Sequence, residues 1–128
     1  MKLLLDTHAL LWWWTDDKQL SVAARAAIAD ERNTVLVSAA SVWEISTKHR
    51  LGKLAMAATA LQQFPSLIEA DGFEHLPITW QHSLRAGAYN HDHRDPFDRM
   101  LAAQSELEAA RLVTCDGAFG GFSTDVLW

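Results

Sequence analysis

The chain predicts an α/β fold, a three-layer α/β/α sandwich with a mainly parallel central sheet. Three observations carry this. Short apolar or β-branched runs recur at residues 2–6, 34–37, 73–78 and 111–115. Segments with helix start and stop signals separate them. Acidic residues fall where these elements begin or end. Strands alternating with helices favour parallel pairing with helices on both faces.

Residues 2–6 read as a short buried strand, and a helix follows from about Thr7 to Trp14. Thr15-Asp16-Asp17 is a turn. Ser21 can cap a second helix through about Ala29, with Val22, Ala26 and Ala29 on one side. Thr34 to Val37 is β-branched and apolar, hence a strand. Ser38 or Ser41 starts a helix running to about Leu51, with Gly52 as its stop. Ala58 to Ala70 is helical, but Pro65 predicts a break or two short helices. Asp71-Gly72 is a turn, Phe73 to Ile78 a strand, and Thr79 to Ala88 a helix. Residues 89–95 form a polar, His-rich loop. Asp95-Pro96 is a helix start, because Asp caps and Pro suits the first helical position. That helix carries Phe97, Met100, Leu101 and Leu107 and ends near Ala110. Arg111 to Cys115 is a strand, Asp116-Gly117 a turn, and Phe122 to Leu127 a last short strand.

At 128 residues the length fits one domain, and 49% hydrophobic residues suffice for a core without a structural metal. The single Cys115 excludes an internal disulfide framework and a cysteine-based zinc site, which fits a reducing cytoplasm. Met1 to Leu5 is too quickly interrupted by Asp6 and His8 to be a signal peptide, and no stretch is apolar enough to span a membrane. The net charge of −5 argues against nucleic acid only weakly. Carboxylates that bind a cation lose most of their charge, and basic residues cluster at Lys48-His49-Arg50 with Lys53 and at His91, His93, Arg94 and Arg99. Trp12-Trp13-Trp14 cannot all face one core, so at least one is expected to be exposed or at an interface.

Four acids stand out: Asp6, Glu44, Asp98 and Asp116. Asp6 and Asp116 fall at predicted strand ends, where parallel sheets bind ligands. Glu44 lies in the helix after the second strand, and Asp98 in the first turn of its own. Four separated acids could thus converge on one rim. A carboxylate near a core is costly unless paired or holding a metal. Several together, without matching cations, point to a hard divalent ion such as Mg²⁺ or Mn²⁺. Each also has a plainer reading. Asp6 is a helix cap, Glu44 a partner for Lys48 one turn on, Asp98 a first-turn acid facing the helix dipole, and Asp116 half of a turn. Asp95 is the better cap of its helix, leaving Asp98 to face the rim. Thr114 could hydrogen-bond to a water or to its neighbours there. His8, His91 and His93 are candidates for a base or ligand, although a solvated loop is the default for the last two.

The order and context of the four acids resemble a known family. Leu3-Leu4-Leu5-Asp6-Thr7-His8-Ala9-Leu10-Leu11-Trp12 opens the match, and Val35 to Glu44, with Ser38 and Trp43, continues it. His93-Arg94-Asp95-Pro96-Phe97-Asp98-Arg99-Met100-Leu101-Ala102-Ala103-Gln104 and Leu112-Val113-Thr114-Cys115-Asp116 complete it. The chain resembles PIN-domain ribonucleases of the VapC type, toxins of type II toxin–antitoxin pairs. The resemblance spans nearly the whole chain, and Asp-Pro-Phe-Asp-Arg is its most specific piece. It implies a PIN-like domain over residues 1–128 with a parallel α/β/α sheet. It places Asp6, Glu44, Asp98 and Asp116 at the acidic positions as catalytic metal ligands for Mg²⁺ or Mn²⁺. It also implies metal-activated hydrolysis of RNA to 5′-phosphate and 3′-hydroxyl ends, a homodimer, and silencing by a cognate antitoxin protein. The Trp12-Trp13-Trp14 run exceeds the motif and fits a dimer or antitoxin surface.

Two other readings compete. A haloacid-dehalogenase-like phosphatase also begins with a strand ending in Asp, but needs a second Asp where His8 stands; a receiver domain needs an acidic pair directly after the first strand. A non-catalytic RNA- or protein-binding domain needs no clustered like charges, which would raise one another's pKa.

Overall fold

The computed structural model describes residues 1–54 and 57–128. Among them, β1 (Lys2–Leu5), β2 (Thr34–Ser38), β3 (Glu74–Leu76), β4 (Arg111–Val113) and β5 (Val126–Leu127) form one sheet in the order β3-β2-β1-β4-β5. Every pairing is parallel. The helices are α1 (Thr7–Trp14), α2 (Val22–Ala29), α3 (Ala39–Arg50), α4 (Ala57–Gln62), α5 (Phe64–Asp71), α6 (Trp80–Ala88) and α7 (Pro96–Leu107).

The pleat explains the three layers. Leu3 and Leu5 of β1, Val35 and Val37 of β2 and Val113 of β4 face a core shared with Leu10, Ile28, Ile45 and Phe73. Leu4, Leu36 and Leu112 face the other way, against Leu101, Ala102, Phe119 and Phe122. Strands covered on both faces read as continuous apolar runs, as β1 does. The register pairs Leu4 with Leu36 on one side and with Leu112 on the other, so β1 is the central strand, buried from Leu3 to Leu5.

The expected α/β order is borne out, with local differences that have physical causes. Phe73 enters the core against Trp13 and Pro77 has no N–H to offer a ladder, so β3 is confined to Glu74–Leu76. β4 stops at Val113 because the Asp116 N–H turns back to Thr114 Oγ1. β5 starts only at Val126, since Phe122 packs inward beside Phe119 and Tyr89. α7 ends at Leu107 rather than near Ala110, where Ala109 takes a left-handed conformation (φ 51°). In α2 the buried face is Ala24 and Ile28, while Val22 lies in solvent. Pro65 divides the middle segment, α4 ending at Gln62 and α5 carrying the Pro in its first turn.

The three consecutive tryptophans are accommodated within the chain. Trp12 is buried edge-on against Trp128. Trp13 and Trp14 are half-buried against Phe73 and Phe64, and both indole N–H groups donate to Asp71 Oδ2, at 3.2 and 2.8 Å. The tryptophans that protrude are Trp43 and Trp80.

From β1 the chain winds outward to β2 and β3, then returns to the other side for β4 and β5. The direction of winding therefore reverses between β1 and β4. That is where an open parallel sheet leaves a crevice at the carboxyl ends of its strands. Asp6 follows β1 and Thr114 follows β4 at this point, and the Asp6 N–H donates to the Val113 carbonyl at 3.1 Å.

Candidate acidic site

Asp6, Thr7, His8, Glu44, Lys48, Asp95, Asp98 and Asp116 line one small cavity of about 70 Å³ at that crevice. The structure thus brings all four expected acids together, and adds Asp95. Five carboxylates share the cavity with one ammonium.

Asp6 is buried and caps α1, its Oδ1 accepting the Ala9 N–H at 2.7 Å. The helix-cap reading therefore holds, and the same residue also lines the cavity. Burial raises its carboxyl above the usual carboxylate range, while the Thr114 hydroxyl, the Ala9 N–H and the His8 charge oppose the rise and Glu44 adds to it.

Glu44 is only 4% exposed, so it is no surface acid. The short N-cap of α3, where Ser38 Oγ accepts the Ala40 N–H at 3.0 Å, starts the helix directly at the sheet rim. Glu44 then points inward one and a half turns later. Thr7 Oγ1 donates to its Oε1 and Lys48 Nζ to its Oε2, each at 2.5 Å. The i,i+4 pairing with Lys48 was legible; its burial makes it a feature of the cavity. Burial opposes the Lys48 charge, but Glu44, with Asp95 and Asp98 beyond, holds the ammonium above its ordinary value.

On α7, Asp95 Oδ1 accepts the Phe97 and Asp98 N–H groups at 2.9 and 3.2 Å and is the cap. Asp98 is released to face the cavity, where His93 Nε2 meets its Oδ2 at 2.8 Å. Burial pushes the Asp98 carboxyl up to about 6; the His93 contact lowers it, and Asp95 and Glu44 push it further up. Asp116 is the most exposed of the four, and its Oδ1 caps the 3₁₀ turn at Gly117–Gly121 through the Ala118 N–H at 2.9 Å.

Sequence reasoning missed two supports. Thr7 starts a helix in the sequence and carries no other signal, yet its bond to Glu44 crosses from α1 to α3. The second is a buried polar chain behind the site. Ser38 Oγ donates to Gln104 Oε1 at 2.5 Å, Gln104 Nε2 lies 3.4 Å from His82 Nδ1, and His82 Nε2 lies 3.0 Å from Glu108. The available signal was Gln104 itself, a polar side chain on the apolar face of α7. His93 was a candidate, but as part of a polar loop whose default is solvation; it is instead half-buried against Asp98.

Among the described residues, no three His, Cys, Asp or Glu side chains already stand close enough to enclose an ion. The donors are nonetheless of one hard, oxygen kind, and Asp6 and Asp98 are held ionised only at a cost that a cation would relieve. Lys48 supplies part of that compensation through Glu44.

The family model described as PIN domain matches residues 3–122. Ribonuclease VapC16 of Mycobacterium tuberculosis is 37% identical over 64 residues, half of this chain and 45% of that protein. The match therefore spans less than half the length of that relative. Among solved structures, VapBC2 from Rickettsia felis bound to a DNA fragment from its promoter superposes with a TM-score of 0.68 at 16% identity, over all of this chain and 98% of that one. A toxin–antitoxin complex from Klebsiella pneumoniae superposes with a TM-score of 0.63 at 17% identity, covering 98% and 96%. At these identities the superpositions show a shared fold.

Proposed function

The chain belongs to the PIN-domain family, and we propose that it is a metal-dependent endoribonuclease acting in the cytoplasm as the toxin of a toxin–antitoxin pair. The observation that carries the reading is the gathering of Asp6, Glu44, Asp98 and Asp116 in one cavity at the sheet's crevice. The likeness to a ribonuclease of the VapC kind supports the choice of RNA. The likeness to toxin–antitoxin complexes supports a cognate antitoxin as partner. The active form in this reading is a homodimer.

Asp6, Glu44, Asp98 and Asp116 are the residues that would hold Mg²⁺ or Mn²⁺. A bound ion would supply an activated water and a counter-charge at the attacked phosphate, leaving 5′-phosphate and 3′-hydroxyl ends. The remaining work belongs to the chain. The Ala9 N–H fixes the Asp6 carboxylate, the Thr7 hydroxyl fixes that of Glu44, and His93 orients Asp98. Fixed donors cost no reorganisation when charge develops on the phosphate. Lys48 is a cation paired with Glu44 in the same cavity, placed to turn towards a substrate phosphate when the carboxylate is otherwise engaged.

The test is cleavage of total cellular RNA by purified protein free of any co-expressed partner, with Mg²⁺ or Mn²⁺, with EDTA, and with Asp98→Asn. The expected result is discrete 5′-phosphorylated fragments, lost in EDTA and reduced at least about 100-fold in the variant. Cleavage that survives both treatments would contradict the assignment.

A further inference from the structure

A second cleft adjoins the acidic cavity, and the proposed chemistry leaves it unused. It has a volume of about 490 Å³ and is lined by Gly87, His91, Asp92, His93, Arg94 and Arg99. His93 lines the cleft and links it to the acidic cavity, because its Nε2 meets Oδ2 of the cavity residue Asp98 at 2.8 Å.

The cleft is built by one side chain. Arg99 Nε donates to the Ala86 carbonyl at 2.9 Å, Nη1 to those of His91 and His93 at 3.0 Å each, and Nη2 to those of Tyr89 and Gly87 at 2.8 and 3.5 Å. All five acceptors are neutral, so they order the loop and leave the guanidinium charge uncompensated. His91 is clamped as well. It stacks on Phe122 with ring centroids 4.5 Å apart and lies so close to Gly121 that a β-carbon there would collide with its imidazole.

Arg94 is exposed on the same loop, and among the described residues it has no hydrogen-bond or ion-pair partner. Among the described residues Arg25, Arg32, Arg85 and Arg111 each pair with a carboxylate, and Arg50, Arg94 and Arg99 do not; of these three only Arg94 and Arg99 share a cleft. In a chain of net charge −5, two uncompensated guanidiniums therefore line one cleft, with Asp92 its single carboxylate. Arg99 has spent its donors and can contribute charge alone. Arg94 retains its planar donor fork, which matches the non-bridging oxygens of a phosphate. Gly87 borders open space, so the backbone there can be approached closely.

We propose that this cleft is a phosphate subsite, which holds a phosphodiester of the RNA strand next to the one lying in the acidic cavity. It rests on the ribonuclease reading for its ligand, and on its own geometry for the anion. Its role is to fix the strand's register over the acids, with Arg94 as the residue that binds and Arg99 as the residue that positions.

Two measurements test it. In the first, inorganic phosphate is titrated into ¹⁵N-labelled protein without divalent metal. Saturable shifts are expected at amides of residues 87–94, absent in Arg94→Gln. In the second, a fluorescein-labelled single-stranded RNA is bound in EDTA across a range of salt. Arg94→Gln is expected to weaken binding about 5–10-fold at low salt and to reduce the slope of log K against log salt by about 0.7, the loss of one phosphate contact. Lys18→Gln, the same charge change in the exposed turn after α1 and outside both cavities, is expected to leave the slope unchanged. Phosphate shifts at 87–94 without any RNA cleavage would sink the ribonuclease reading and leave the anion site standing. Metal-dependent cleavage with Arg94→Gln indistinguishable from Lys18→Gln in both measurements would overturn this proposal and leave that reading intact.

Discussion

Asp98 shows how a single carboxylate is kept ready at a cost. It sits in the first turn of α7, half-buried between His93, Asp95 and Glu44, and its carboxyl is pushed from 3.8 up to about 6. A raised acid contributes stability that is fully present below its unfolded value and is lost as pH rises through its folded value. The window therefore runs from about pH 4 to pH 6. Without metal at pH 7.5, Asp98→Asn should be more stable than the parent by about 1–3 kcal/mol. The difference should vanish near pH 4 and shrink again when Mn²⁺ is added at pH 7.5. Thermal melts at the two pH values check this. At this scale Asp98 and Asp95 could be told apart in advance, because two acids and a Pro in four residues exceed what a cap needs. The burial of Glu44 was legible from its small, apolar neighbours. The partnership of Thr7 with Glu44 was not, since it joins residues 37 apart and depends on how α1 and α3 cross.

The elements that carry the site are held by a few polar contacts in otherwise apolar packing. Ser38 caps α3 and donates to Gln104, both side chains being fully buried. Ser38→Ala removes the cap and leaves Gln104 Oε1 without its donor. The expected loss is about 2–4 kcal/mol by denaturant unfolding, against about 1 for an exposed cap. The 3₁₀ turn is equally constrained. Gly121→Ala places a β-carbon in the His91 imidazole, and overpacking of this kind costs about 1–3 kcal/mol. It should also lower RNA cleavage while Gly120→Ala, which meets nothing, does not. Helices were more legible than strands here. Ser21, Ser38, Thr79 and Asp95 all cap as their types suggest, and Pro65 divides the segment that it disturbs. The short strands β3 and β5 are bounded where a side chain turns into the core or a proline interrupts the ladder, and β4 where the Asp116 N–H turns back to Thr114. Local composition at Phe73, Pro77 and Phe122 could not say which of the two would win. The face of α2 was misread for a related reason. Five of its eight residues are alanine, and the position of Ile28 decides which side is buried.

Across the whole molecule, the fold turns sequence separation into proximity. Asp6 and Asp116 lie near opposite ends of the chain, yet β1 and β4 are neighbours and winding reverses between them. Alternation of strands and helices was enough to expect a parallel sheet, and the strand-end acids were enough to expect one rim. The strand order was not readable locally, because it depends on which edge each crossover takes. The tryptophan run was expected to leave at least one ring exposed or at an interface, and Trp13 and Trp14 do remain half-buried beside α5 while Trp12 is buried against Trp128. Among the described residues, exposed apolar side chains include Trp43 on α3 and Trp80 and Leu84, one turn apart on α6.

The central claim is that the acidic cavity is a divalent-cation site. Isothermal titration of Mn²⁺ into the metal-free protein, beside Glu44→Gln, tests it most directly. The variant keeps a side-chain oxygen for Thr7 and removes one charge. Saturable binding by the parent, weakened at least about 10-fold in the variant, is the predicted result. At a free Mn²⁺ of 100 times the parent's dissociation constant, the parent should gain about 2.7 kcal/mol of stability and the variant no more than about 1.4. Absence of binding by the folded parent, or binding that Glu44→Gln leaves unchanged, would contradict the account.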